Sequence, residues 1–227
     1  MDQIGVSYRT LLASSQEDAL ALEALEEALS GELPKDYVVR VTGLKLEAAL
    51  KRLDLRMGSF QPMPLSMPLT QSLTKSLTAQ GNKESLNDQE YCVAPVLCAD
   101  TTVALGRDIL GKPSSPEHAH EMLTRLSGRT HQVFTAVALS WGAHTPPPNH
   151  PHLSALSIST VEFAALSRAQ IKAYVDTGEP MGKAGAYGVQ GRAAGFIKNI
   201  EGSYSGIMGL PLFECAQLLR QLGIFSI

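Results

Sequence analysis

The chain has 227 residues, of which 44% are apolar and 18% charged, enough to bury one full core or two small ones. Nineteen Lys and Arg stand against 22 Asp and Glu, a net charge of −3, which argues against a protein that coats nucleic acid or an anionic membrane through bulk charge. No run of 18 apolar residues exists, Met1-Asp2-Gln3 lacks the basic start of a signal peptide, and Cys92, Cys98 and Cys215 form no Cys-x-x-Cys pair. A cytoplasmic protein with no disulfide framework and no membrane span is expected.

In chain order, Ile4 to Leu12 reads as a strand because Val6 and Tyr8 alternate with polar neighbours. Ser15 is placed to cap a helix carrying Leu22, Leu25 and Leu29, stopped by Gly31. A second helix follows Pro34, with Asp36 as N-cap and Val41, Leu44, Ala48 and Leu53 as its buried stripe. Residues 56–92 are rich in Ser, Thr, Gln, Pro and Met, with Pro62, Pro64 and Pro68 within seven positions. This stretch reads as a low-complexity surface insertion into a single domain spanning 1–227.

Val93 to Ala99 then forms an apolar run expected to be a buried strand that ends at Asp100. Ser115-Pro116-Glu117 opens a helix that turns Met122, Leu123 and Leu126 inward and closes at Gly128. His131–Trp141 alternates and pairs with Ala155–Phe163 across a proline-rich connection. Ser167 and Gln170 make a capping box for a helix ending at Gly178, and Pro211 opens a final amphipathic helix that ends at Gly223. The expected fold is α/β, with a mixed central sheet flanked by helices.

Asp100, held at the end of a buried strand, suits a divalent-cation ligand or a general base, although a loop-initiating aspartate would look the same. Lys112, stiffened by Pro113, can grip a phosphate, or can be a solvated surface lysine. The densest constellation runs from Glu179 to Gly191. Glycines at 182, 185, 188 and 191 allow close backbone approach, Lys183 brings charge, Tyr187 a flat face, and Gln190 a donor–acceptor pair that can read a base edge. It is neither a Walker loop nor a Gly-x-Gly-x-x-Gly turn, and a tight hairpin without a ligand is the competing account. The six histidines are read as non-ligands, with His131 at a strand edge, and Cys98 as a small buried side chain.

Taken together, Ala99-Asp-Thr-Thr-Val103, Gly111-Lys-Pro113, Leu126-Ser-Gly-Arg-Thr-His-Gln-Val133, Lys183-Ala-Gly-Ala-Tyr-Gly-Val-Gln-Gly191 and Ile200-Glu-Gly-Ser-Tyr204 through Gly209-Leu-Pro-Leu212 stand in an order that resembles the Maf (septum-formation inhibitor) family of nucleoside triphosphate pyrophosphatases. Tyr37-Val-Val-Arg40 and Lys45 extend the match, and the motif from Lys183 is similar to the branch acting on dTTP and UTP. The resemblance implies an inosine-triphosphatase-like Maf fold that splits the α–β phosphoanhydride with Mg²⁺ or Mn²⁺. In it, Asp100 accepts a proton from water and lies near the metal. Lys45, Lys112 and Lys183 neutralise the triphosphate, Thr101 and Gln190 choose the base, and Glu17 is a second acidic residue near the metal. It also implies a homodimer.

Departures from the family pattern are visible too. Family chains begin with a strand and a Ser-x-Ser-Pro-Arg-Arg loop ahead of a Gly-Val pair, whereas here Gly5-Val6 follows almost directly on Met1. The expectation is therefore a fold lacking that first strand and loop. A weakened member acting as a regulatory binding protein in septum formation or cell division is the alternative to an active enzyme.

Overall fold

The computed structural model describes residues 1–13, 15–57, 95–141 and 152–224. Two expected features, the 56–92 insertion beyond Met57 and the proline-rich connection at 142–151, lie outside the described residues. Helix α1 covers Gln16–Ala24 and α2 covers Pro34–Met57. Strands β1 (Pro95–Leu105) and β2 (Asp108–Leu110) are followed by α3 (Pro116–Leu126), β3 (Thr130–Trp141), β4 (Leu153–Phe163) and α4 (Arg168–Val175). Strand β5 (Ile197–Glu201) and helices α5 (Tyr204–Ile207) and α6 (Leu212–Gln221) complete the order.

The strands form one sheet in the order β2-β1-β3-β4-β5. The α/β architecture with flanking helices is as expected, but every described pairing is antiparallel rather than mixed. The short hairpin at Gly106 returns β2 beside β1 and so forces the antiparallel sense there. Strand β3 pairs with β4 as expected, in a register that sets Val133 opposite Ser159 and Val137 opposite Ala155.

Side-chain alternation divides the sheet into two faces. On one, Ala104, Phe134 and Ala136 meet Tyr37, Val38 and Val41 of α2. The other face carries two clusters. Val103, Val133, Val161 and Phe163 pack against Leu123 and Leu126 of α3 and Ile171 and Tyr174 of α4. Further along the same strands, Val137 and Leu139 pack against Cys215, Leu218 and Leu219 of α6. Between Val133 and Val137 on β3 stands Thr135, paired with Thr101 of β1. The polar gap between the two apolar clusters is part of the floor of a cleft.

The caps behave as the residue types dictate. Ser115 accepts from the His118 amide at the start of α3, and Ser167 and Gln170 close the reciprocal box on α4. Gly128, Gly178 and Gly223 take left-handed conformations just beyond their helices.

Four local expectations are corrected. Ile4–Leu12 is not a strand: Asp2–Ile4 is a 3-10 turn, and Met1, Ile4 and Val6 pack against the α6 cluster while Tyr8 stays exposed. Helix α1 stops at Ala24, well before Gly31, because α2 pins the following segment in an irregular path described below. Asp36 lies inside the first turn of α2, where its charge complements the helix dipole, and Val38, Val41, Leu46, Ala49 and Leu53 are the buried stripe, with Leu44 and Ala48 only half-buried. Strand β1 runs through Asp100 to Leu105, so Asp100 sits in mid-strand rather than at a strand end.

Candidate active site

Odd-numbered residues of β1 face the cleft floor, and even-numbered ones face α2. Asp100 therefore points toward α2, where Lys45 Nζ lies 2.5 Å from its Oδ1. Outside β1, β2 pairs only Val103–Leu105, so among the described residues no strand covers the edge beside Asp100. Asp100 reaches the cleft around that open edge.

Lys45 also donates to Glu26 Oε1 at 2.7 Å, and Lys112 Nζ donates to both oxygens of Glu26, at 3.0 and 2.7 Å. Asp100, Lys45, Glu26 and Lys112 form one alternating chain of charge. Burial dominates at Asp100 and pushes its carboxyl above the usual range, against the pull of Lys45. At Glu26 burial acts the same way, but the bonds from Lys112 and Lys45 outweigh it and its carboxyl is held low. Burial opposes the charge on Lys45, yet its two carboxylate partners raise its pKa on balance. The two acids are thus pushed apart, a pattern that leaves Asp100 the more ready proton acceptor.

Glu26 was missed by sequence reasoning, because α1 loses its period there and no motif surrounds it. The signal lay downstream in α2. Tyr37 Oη donates to the Glu26 carbonyl at 2.8 Å, and Arg40 Nη2 donates to the Glu27 carbonyl at 2.9 Å while gripping Glu32 through Nε at 2.6 Å. Tyr37, Arg40 and Lys45 of α2 all donate to this segment and so hold Glu26 in place. Glu17 lies in the first turn of α1, and its side chain is outside the described residues.

The roof of the cleft is the 182–190 loop. The Gly185 amide donates to the Gly111 carbonyl at 3.1 Å, tying the loop that carries Lys183 to the one that carries Lys112. Lys183 Nζ donates to the Glu179 carbonyl, and its stem lies across Gly188, where an added Cβ would come within 3.1 Å of it. The Glu179 carboxylate accepts from Tyr174 Oη at 3.1 Å and from the Arg192 amide at 3.0 Å. A Cβ at Gly191 would sit 2.0 Å from that carboxylate. Close packing within the loop therefore explains Gly188 and Gly191, without a ligand.

Tyr187 contributes less to the cleft than its flat ring suggested. It is nearly buried, packs edge-on against Phe163 and His131, and its hydroxyl is 2.8 Å from His131 Nε2. His131 is correspondingly not a strand-edge residue. It is 2% exposed on a central strand, and burial lowers its pKa to about 4. Cys98 is half-buried.

The cleft holds about 310 Å³ and is lined by Asp100, Thr101, Lys112, Lys183 and Gln190 among others. Its floor is Ala99, Thr101, Val103 and Val133, and its far wall is Ile207, Met208 and Gly209. Of the site residues expected from sequence, Asp100, Thr101, Lys112, Lys183 and Gln190 line it, and Lys45 touches it through Asp100. Asp100 and Lys112 join the lining to the Lys45–Glu26 charges, whereas Lys183 and Gln190 stand close together at Gly188, where an added Cβ would lie 3.1 Å from the lysine stem and 3.5 Å from the amide oxygen. Among the described residues no three His, Cys, Asp or Glu side chains gather, so a cation here would meet two carboxylates and take its other ligands from water or substrate. No described helix is long and apolar enough to cross a membrane.

Residues 1–222 match the family model described as Maf-like protein. A protein of Cupriavidus pinatubonensis named dTTP/UTP pyrophosphatase is 49% identical over 223 residues, covering 97% of this chain and 89% of its own length. Proteins of Polaromonas sp. (strain JS666) and Ralstonia nicotianae with the same name are each 46% identical, covering 99% and 98% of this chain and 90% and 87% of theirs. With the five motifs gathered around one cleft and this similarity along nearly the whole length, the chain belongs to the Maf family.

Proposed function

We propose that the protein is a nucleoside triphosphate pyrophosphatase that hydrolyses dTTP and UTP to the monophosphate and pyrophosphate. The observation that carries this reading is the chain Asp100–Lys45–Glu26–Lys112, whose first and last members line the same cleft as Thr101 and Gln190. The relatives named for this activity support it. The nucleotide pool it would act on is cytoplasmic.

In this reading the base lies over Thr101 and Val103, with Gln190 beside it, and the triphosphate runs toward the β1 edge. Lys112 and Lys183, on loops tied by the Gly185–Gly111 bond, flank the phosphates and balance the charge that builds on departing pyrophosphate. Asp100 takes a proton from water as its oxygen bonds to phosphorus and the anhydride oxygen leaves with the pyrophosphate. Its raised pKa suits a group that must accept and later release that proton. Asp100 and Glu26 are the residues that would hold a divalent cation, Mg²⁺ or Mn²⁺, once Lys45 turns from them to phosphate. When bound, such a cation polarises phosphoryl oxygens and neutralises their charge.

Asp100→Asn tests the assignment. The amide keeps the shape but accepts no proton, so turnover of dTTP and UTP falls by roughly 10²–10⁴ while nucleotide binding persists in calorimetry. Turnover within threefold of the unaltered protein refutes the role of Asp100. Binding by both forms with turnover by neither favours a nucleotide-binding regulator instead.

A further inference from the structure

We infer that Thr135, buried beneath the cleft floor, is a specificity-determining residue: it fixes the hydroxyl of Thr101 as a pure acceptor toward the base. Thr135 Oγ1 lies 2.7 Å from the Gly206 carbonyl and 2.9 Å from Thr101 Oγ1. A carbonyl only accepts, so the single proton of Thr135 goes to Gly206. Thr135 then has only lone pairs to offer Thr101, and Thr101 must donate its own proton downward. The Thr101 oxygen, half-buried in the cleft floor, turns nothing but lone pairs upward.

The surroundings hold this polarity in place. Thr101 and Thr135 are direct partners across β1 and β3, so their side chains stand together on one face. Thr135 is 1% exposed, so bulk solvent does not reach its lone pairs. Gly206 is set by Ser203, whose hydroxyl accepts from the Gly206 amide at 3.0 Å, and its carbonyl also accepts from the Gly209 amide at 2.9 Å. That turn is the cleft wall, and the Gly209 backbone passes close over Thr101: a Cβ at Gly209 would stand 3.7 Å from the hydroxyl oxygen.

An acceptor-only floor discriminates between pyrimidines of nearly equal size. Uracil and thymine carry a proton on ring nitrogen N3, so N3–H can donate a hydrogen bond to the Thr101 oxygen. Cytosine has a bare lone pair there, which faces the lone pairs of Thr101 without a shared proton. Gln190 cannot make this distinction alone, because its amide can rotate to offer a donor or an acceptor. The inference rests on the pyrimidine triphosphate reading and adds to it the residue that imposes the choice.

The test is the ratio of kcat/KM for UTP to that for CTP in the full chain. Thr135→Val keeps the volume and leaves the Gly206 carbonyl bonded to Gly209, but it frees the Thr101 proton to turn toward the base. The ratio is expected to drop on the order of tenfold, about the worth of one hydrogen bond, while Thr135→Ser stays within about twofold of the unaltered protein. An equal loss on both nucleotides, with the ratio unmoved, overturns the inference and leaves Thr135 a structural residue. If Thr135→Val does not fold, Thr135→Cys carries the same expectation and the same refutation, because a thiol accepts hydrogen bonds poorly. An unaltered protein inactive on UTP and dTTP would remove the underlying reading; an active one with an unmoved ratio removes only this inference.

Discussion

Replacing Lys45 by methionine keeps most of the stem and removes the ammonium that lies 2.5 Å from Asp100 and 2.7 Å from Glu26. Two carboxylates then share the space without a cation between them, and only Lys112 still reaches Glu26. Loss of one partner from a fully buried pair costs about 3–5 kcal/mol. Here the Lys45, Asp100 and Glu26 side chains keep 19%, 14% and 23% exposure, so solvent screening reduces the expected loss to roughly 2 kcal/mol near pH 7. The sign of the pH dependence follows from the carboxyls. Asp100 is already raised by burial, and without Lys45 its folded pKa climbs further above the unfolded value. The penalty applies where the groups are ionised and fades as they take up protons, so it shrinks as pH falls from about 7 toward about 4.5. Urea unfolding of both proteins at the two pH values reads the difference directly. A loss of the same size at both would refute the electrostatic account and leave packing as the cause.

Other consequences are sharper in kind than in size. Gly191→Ala drives a Cβ into the Glu179 carboxylate, displacing its bonds to Tyr174 and Arg192; a loss of about 2 kcal/mol and a raised KM are expected, checked by thermal unfolding and steady-state kinetics. His131 is neutral in the fold, with a pKa near 4 against 6.5 when unfolded, so its contribution is intact above about pH 6.5 and is lost as pH falls toward 4, about 3 kcal/mol in all. His131→Gln removes that slope between the two pH values in acid unfolding, and an unchanged slope would contradict it. Asp108→Ala breaks only an exposed bridge to Arg125 and should change stability by less than about 0.5 kcal/mol in the same assay.

How much of this was legible depends on whether the signal was local. The caps at Ser115 and Ser167 and the β3–β4 pairing follow from short-range rules, and the structure has them as expected. The extent of β1 did not, because a carboxylate in mid-strand looks like a strand end until Lys45, 55 positions away, is seen to compensate it. The antiparallel sheet was hidden for the same reason: strand direction depends on connections that the apolar pattern does not encode. Five residues singled out through the resemblance, Asp100, Thr101, Lys112, Lys183 and Gln190, do line one cleft, but one neighbour and the part played by two glycines were not legible. Glu26 has no local pattern, since its place is set by Tyr37 and Arg40 from the next helix. The glycines of the 182–191 loop read equally as a ligand cradle or a tight hairpin, and the structure shows Gly188 and Gly191 making room for the Lys183 stem and the Glu179 carboxylate.

In the proposed function, Asp100 and its lysines serve cleavage of one bond, the α–β anhydride of a pyrimidine nucleoside triphosphate. Separating the products formed from dTTP and UTP with Mg²⁺ tests it most directly. Monophosphate and pyrophosphate in equal amounts are expected, with no orthophosphate and with turnover reduced by roughly 10²–10⁴ in Asp100→Asn. Diphosphate and orthophosphate as the products would contradict it.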